Sequence, residues 1–323
     1  MRATRWLLGA MALVVLVVSV GFAQQYPSRP IEMVVPFGAG GGSDVFARNI
    51  AKYLTEEKLI PVAFNIVNKP GGSGAVGYGY VAAQKGNPYV LATVSASYWT
   101  TALVGQSPVS YKDFTPLAGL ATDPSLLITR IQSPYQTLAD VVAAAKKAPN
   151  KIRVASAAIA ADDNVLNYQF ERSAGIKLNV VPFNGSGPAL MAALGGHVEL
   201  TWSNPGEIMA QVEAKKVRVL AVAISKRLPM FADVPTFKEA GYPVEFPSLR
   251  GVSMPGNIPA ENLQTLWGSF KKLCDSKRWQ TEYIEKNLLV PYCMDPTEFG
   301  KAIEAQNDLY KQVFTELGVM KKK

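Results

Sequence analysis

From Ile31 to about residue 245, short apolar runs alternate with amphipathic stretches of helical period, and beyond residue 260 only helical patterns remain. The apolar runs fall at 31–36, 62–67, 88–94, 125–130, 151–155, 178–182, 197–202 and 217–223. The helical patterns fall at 43–58, 74–85, 137–147, 162–173, 187–195, 205–214, 260–274, 276–286 and 296–317. This alternation predicts an α/β fold of parallel-type sheets flanked by helices, because parallel neighbours need a crossover long enough to hold a helix. Residues 103 to 124, rich in Pro, Ser and Asp, separate two α/β blocks. The helices of the tail lack strands of their own and must cover a sheet. Packing them on the first block makes the chain cross between blocks twice, near 122–126 and near 246–252. The expected division is a first lobe of residues 24–124 plus 247–323 and a second lobe of 125–246, hinged around a cleft. One continuous doubly wound sheet is the alternative.

The N-terminus stands apart. Arg2 and Arg5 precede an apolar run from Trp6 to Val20, closed by Gly21-Phe22-Ala23. That is the pattern of a secretory signal peptide, residues 1–23, cut after Ala23 and sending the chain to the periplasm. A retained anchor is the other reading, although the run is short for a span of about 20 residues. Cleavage leaves 31 basic against 25 acidic residues, a formal charge of +6. The basic residues are scattered, apart from Lys271-Lys272 and the Lys321-Lys322-Lys323 tail, so no nucleic-acid partner is expected. A mild positive field still favours anionic small molecules. Cys274 and Cys293 are disulfide candidates in an exported chain, with two buried thiols as the other reading. Neither has a histidine-rich setting, and neither a metal nor a cofactor is expected.

"VVPFGAGGGSDVFARNIAKYL" runs from a strand through Gly38, Gly40, Gly41 and Gly42 into a helix. Ligands of open α/β sheets bind outside the carboxyl ends of the strands. The first helical N–H groups lack in-helix acceptors, the helix dipole adds positive charge, and glycines admit a close approach. Ser43 or Asp44 can cap the helix. The loop therefore suits a carboxylate or a phosphate. It is not a dinucleotide fingerprint, since G-x-G-x-x-G fails at Ser43, and no Walker G-K-[ST] occurs. A second loop, Asn68 to Gly74, repeats the device with Gly71, Gly72, Ser73 and Gly74. The second block adds three more: Ala155-Ser156-Ala157-Ala158, Asn184-Gly185-Ser186-Gly187 with Pro188 in the first turn, and Trp202 to Glu207.

"YPSRPIEMVVPFGAGGGSDVFAR", "NKPGGSGAVGYGYVA", "YKDFTPLAGL", "VPFNGSGPALMAALGGHVEL", "VRVLAVAISKRLPMFADVPTFKEAGYPVE" and "MPGNIPAENL" together resemble the Bug-type receptors, the periplasmic solute-binding components of tripartite tricarboxylate transporters. The resemblance spans the mature chain in order. It implies a two-lobed Venus-flytrap (type II) periplasmic-binding-protein fold, membrane permease subunits as partners, and a small carboxylate ligand held through ordered waters and backbone groups. Carried onto this sequence, the site would include Phe37, Gly38, Gly42, Ser43 and Asp44, then Gly72, Ser73 and Gly74. Second-lobe positions would be Ser156, Asn184, Ser186 and Asn204. The ligand itself stays open among di- and tricarboxylates, aromatic acids, amino acids and neutral rings.

Two stretches depart from the family pattern. "ASAAIAADDN" replaces a Ser/Gly-rich loop, and Asp162 and Asp163 either cap the following helix or face a ligand amine or hydroxyl. "TVSASYWT" offers Ser95, Ser97, Tyr98 and Trp99, the aromatics either stacking on a ring or filling the hinge. Arg250, at the second crossing, has a guanidinium suited to a carboxylate, with a structural salt bridge as the other reading. Enzyme signatures are weak. His197 is the sole histidine, no G-x-S-x-G occurs, and Ser269-Phe270-Lys271-Lys272 spells S-x-x-K without an S-D-N or K-T-G partner. Three roles follow: a transport receptor, a receptor presented to a membrane sensor kinase, and an exported hydrolase.

Overall fold

A computed structural model describes residues 26–157, 160–183 and 185–321. The expected signal peptide, residues 1–23, and Asn184 lie outside the described residues. The chain runs β1 (Ile31–Val35), α1 (Gly42–Glu56), β2 (Phe64–Asn68), α2 (Ala75–Ala82), β3 (Val90–Val94), α3 (Ser97–Leu103) and β4 (Phe114–Asp123). It continues through β5 (Leu126–Arg130), α4 (Leu138–Lys147), β6 (Arg153–Ser156), α5 (Asp162–Ala174), β7 (Asn179–Pro182), α6 (Ser186–Leu194), β8 (Leu200–Ser203), α7 (Pro205–Glu213) and β9 (Val217–Val222). It closes with β10 (Ser248–Pro255), α8 (Ala260–Asp275), a π-helical turn (Trp279–Glu285), β11 (Val290–Met294) and α9 (Pro296–Glu316).

Two sheets result. One has the order β11-β4-β10-β3-β1-β2 and the other β7-β6-β8-β5-β9. Both are mixed rather than purely parallel. β1 pairs parallel with β2 and β3, whereas β10 runs antiparallel to β3 and β4, and β11 antiparallel to β4. In the second sheet β6 is parallel to β7 and β8, and β5 is antiparallel to β8 and β9. The two passages between sheets are β4 into β5 through Pro124-Ser125 and a return through irregular residues 242–247 into β10.

β4, β10 and β11 have no counterpart among the apolar runs read from the sequence. The cause lies in what covers them. Gly119 of β4 lies beneath the Phe299 ring of α9, where a Cβ would come within 2.9 Å of Cδ2. A Cβ on Gly251 of β10 would collide with that same ring and with the Ala118 carbonyl. Strands that carry helix contacts on bare backbone hold Gly and Pro where a sheet strand normally shows branched residues. Helices α8 and α9 cover this first sheet. α9 reaches further: Tyr168 on α5 donates to Glu316 at 2.5 Å, and Arg172 pairs with the same carboxylate at 3.4 Å. Cys274, at the end of α8, and Cys293, on β11, are bridged, with Cα atoms 5.9 Å apart.

Candidate functional site

The first glycine loop is organised by Asp44 in the first turn of α1. This residue is 3% exposed. Its carboxylate accepts from the Gly40 amide, from Arg48 Nε and from Asn68 Nδ2, each at 2.9 Å. Asn68 also donates to the Phe37 carbonyl at 3.1 Å. Asp44 thus faces back into its own loop and ties it to the end of β2. The Arg48 hydrogen bond above all, with those of Gly40 and Asn68, holds its pKa down at about 2 despite burial. Asp44→Ala is expected to destabilise the protein by about 2–3 kcal/mol at neutral pH, the range for hydrogen bonds to a buried charge. Because the native pKa is depressed, that difference in urea unfolding should shrink as pH falls from about 4 to about 2.

With Asp44 turned inward, the loop presents main-chain amides outward. Gly42 and Ser43 open α1 and have no in-helix acceptor. Among the described residues no other acceptor reaches their amides. Beside them lies Arg250 of β10: a Cβ on Gly42 would sit 3.2 Å from one guanidinium nitrogen and 3.5 Å from the other. Arg250 Nε donates to Asp123 Oδ2 at 2.5 Å, and Nη2 touches the same oxygen. Burial acts against the guanidinium charge and Asp123 outweighs it, so the Arg250 pKa lies above its ordinary value. The residue is both a strand-to-strand ion pair and a wall of the cleft.

The second loop folds against the first. Ser73 is left-handed, at φ 54°, between Gly72 at φ 55° and Gly74 at φ 100°. A Cβ on Gly74 would meet Ser97 Oγ at 3.0 Å and Phe37 Cζ at 3.5 Å, so only glycine allows these three to close together. The two aromatics of "SASYWT" turn away from the cleft. Trp99 is 1% exposed and donates to the Ile303 carbonyl at 2.9 Å, and Tyr98 donates to Ser253 Oγ at 3.2 Å.

Between the sheets lies a cleft of about 960 Å³, within the usual range for small-molecule sites. Its first-sheet wall includes Phe37, Gly42, Ser43, Ser73, Ser95, Ser97 and Arg250, and its second-sheet wall includes Ser186 and Asn204. Gly38, Asp44, Gly72, Gly74 and Ser156 do not line it. Asp44, Gly72 and Gly74 shape the loops from behind, and Ser156 is fully buried at the end of β6. Asn204 Nδ2 donates to the Pro124 carbonyl at 3.0 Å, at the passage from β4 to β5, rather than standing free.

Lining polar residues that the sequence reading did not offer as site residues include Asp123, Ser203, Glu207 and Ser248. Only Glu207 left a signal, as the third residue after the Asn204 N-cap. Its carboxylate accepts from the Asn204 amide at 3.2 Å and from Ser186 Oγ at 2.7 Å. Asp162 and Asp163 also line the cleft and do not cap α5, whose N-cap is Ala161. Asp162 accepts from Ser248 Oγ at 2.7 Å and from the Tyr310 hydroxyl. Asp163 accepts from the Ala157 amide at 2.7 Å. Burial, joined by the charges of Asp162 and Glu207 and opposed by the Ala157 bond, pushes Asp163 up to about 7. The folded chain then keeps a proton that the unfolded chain has released. Through this group the protein is expected to lose stability as pH rises from about 4 to about 7, with no further loss above. Thermal unfolding across that range should show a shallower slope in Asp163→Asn.

A second cavity, of about 830 Å³, is lined by Thr122 and Pro247 together with residues of both lobes. Thr122 faces this groove and Asp123 faces the cleft, and successive strand residues point to opposite faces. The strands that pass between the sheets therefore separate a front cleft from a back groove.

A model of the tripartite tricarboxylate transporter family receptor, TctC, matches residues 46–319. The chain belongs to this family. Protein BugT of Bordetella pertussis is 32% identical over 225 residues, 68% of this chain and 68% of that protein. A TctC solute-binding protein from Polaromonas, solved without ligand, superposes with a TM-score of 0.79 at 30% identity, covering 90% of this chain and 99% of that one. An R. palustris protein with adipate superposes with a TM-score of 0.77 at 27% identity, covering 91% and 99%. TctC proteins are solute-binding receptors and not an enzyme family. Among the described residues no helix is long and apolar enough to cross a membrane.

Proposed function

We propose that this TctC receptor works in the periplasm, captures a small carboxylate in the cleft between its lobes, and hands it to membrane permease subunits without chemical change. The observation that carries the reading is the first-lobe wall, where the unpaired amides of Gly42 and Ser43 stand beside the Arg250 guanidinium. The lobes are taken as residues 24–124 plus 247–323 and 125–246, turning on Pro124-Ser125 and on the approach to β10. The R. palustris relative with adipate supports the ligand class.

Cargo first docks on the open first-lobe wall, and the second lobe then rotates over it. Closure is driven only by extra affinity for the closed form. Moving the lobes from 1:99 to 99:1 closed takes about 5.5 kcal/mol of differential binding. Two to four charge-assisted hydrogen bonds of roughly 1.5–3 kcal/mol each supply it. The test is to purify the chain from the periplasm of an expression host and identify what leaves it on denaturation by mass spectrometry. An intact small carboxylate is expected, and its addition back should raise the melting temperature. A cargo without an acid group, or conversion of the added acid to product, would contradict the reading.

A further inference from the structure

The two walls of the cleft carry opposite chemistry. The first-lobe wall presents amides, serine hydroxyls and Arg250. The second-lobe wall presents Asp162, Asp163 and Glu207, with Asp123 at the hinge. Arg250 is already paired with Asp123. No Lys or His stands on the described lining to answer the other three acids. Protein donors satisfy Asp162, through Ser248 and Tyr310, and Glu207, through Ser186 and the Asn204 amide, but these donors carry no charge. The crowding shows in Asp163, which burial and the neighbouring Asp162 and Glu207 hold at about 7.

Ser203 is an independent sign. It is 4% exposed, ends β8 on this same wall, and its Oγ has no partner among the described residues. Buried hydroxyls are nearly always bonded, and at the cleft wall a bound molecule can supply the partner that this one lacks. A second carboxylate brought against such a wall favours the protonated form of Asp163 and gains no opposite charge there, while an ammonium favours its ionised form, meets opposite charge and offers three donors.

We propose that the second-lobe wall, built from Asp163, Glu207 and Ser203, takes a protonated amine, so that the cargo is a carboxylate bearing an ammonium at its far end and not a di- or tricarboxylate. This rests on the reading of the first-lobe wall as the carboxylate site. The experiment is calorimetry with chain-matched pairs: succinate and 4-aminobutanoate, glutarate and 5-aminopentanoate, adipate and 6-aminohexanoate, with hexanoate as the plain acid. In the pair of best length the amino acid is expected to bind about tenfold or more tighter than the diacid. Asp163→Asn should cut that ratio about tenfold. Ser203→Ala should cut it less, and serves as the second variant if Asp163→Asn does not fold. A diacid bound as tightly as its amino partner in every pair overturns the assignment and leaves the carboxylate receptor standing. No binding by any member, hexanoate included, contradicts the carboxylate site itself and the amine assignment with it.

Discussion

Gly42→Val is expected to abolish carboxylate binding, by about a hundredfold or more, while the protein stays folded. The backbone at Gly42 is not left-handed, so a β-branched residue fits the main chain there. The cost of the change falls on what surrounds it. Its Cβ would press at 3.2 Å on the Arg250 guanidinium, and its two methyls would cover the amides of Gly42 and Ser43. Both elements of the anion site are then displaced or hidden at once. Circular dichroism and urea unfolding should match the parent within about 1 kcal/mol, the scale of a single helix-terminal substitution. Calorimetry with the tightest-binding acid should show no heat. Unchanged affinity would remove this loop from the site.

Arg250→Ala is expected to act twice. It leaves the Asp123 carboxylate, 10% exposed at the side chain, without its cation, and it strips the cleft of its guanidinium. Removing one partner of a buried pair costs roughly 3–5 kcal/mol, and about 3 is expected here because the Arg250 side chain keeps 21% exposure. Binding should fall at least about tenfold, the value of one charged hydrogen bond. The double variant Arg250→Ala/Asp123→Ala separates the two effects. It removes the orphaned charge, so stability should largely return while affinity does not. If affinity returns with stability, Arg250 is a strut of the hinge and no more.

The parts of the site that live on contiguous sequence were legible. A glycine run between a strand and an amphipathic helix specifies a loop with outward amides, and two such loops in one block place two such ends side by side. What Asp44 does was not legible: its acceptors are spent on Gly40 and on Asn68 across 24 residues, a contact that only the folded sheet creates. The same holds for Arg250 and Asp123, which are 127 residues apart and meet because β10 returns beside β4. The hinge strands themselves were hidden. "TPLAGLATD" and "SLRGVSMP" carry glycines that read as punctuation, whereas the structure uses Gly119 and Gly251 as flat ground for Phe299. The acids of the second lobe were visible in the sequence, but their direction was left open between capping α5 and facing the cleft; Ala161 takes the capping position, and Asp162 and Asp163 line the cleft. For Trp99 two readings stood open, stacking on a ligand ring or filling the hinge, and the structure makes it a core residue anchored through its indole nitrogen to α9.

The decisive measurement is a crystal structure of the mature chain with the tightest-binding member of the acid panel. The carboxylate oxygens are expected within about 3 Å of the Gly42 and Ser43 amides, or of one ordered water that those amides hold, with Arg250 in reach. A carboxylate lodged elsewhere, with both amides bonded only to the protein, would contradict the account.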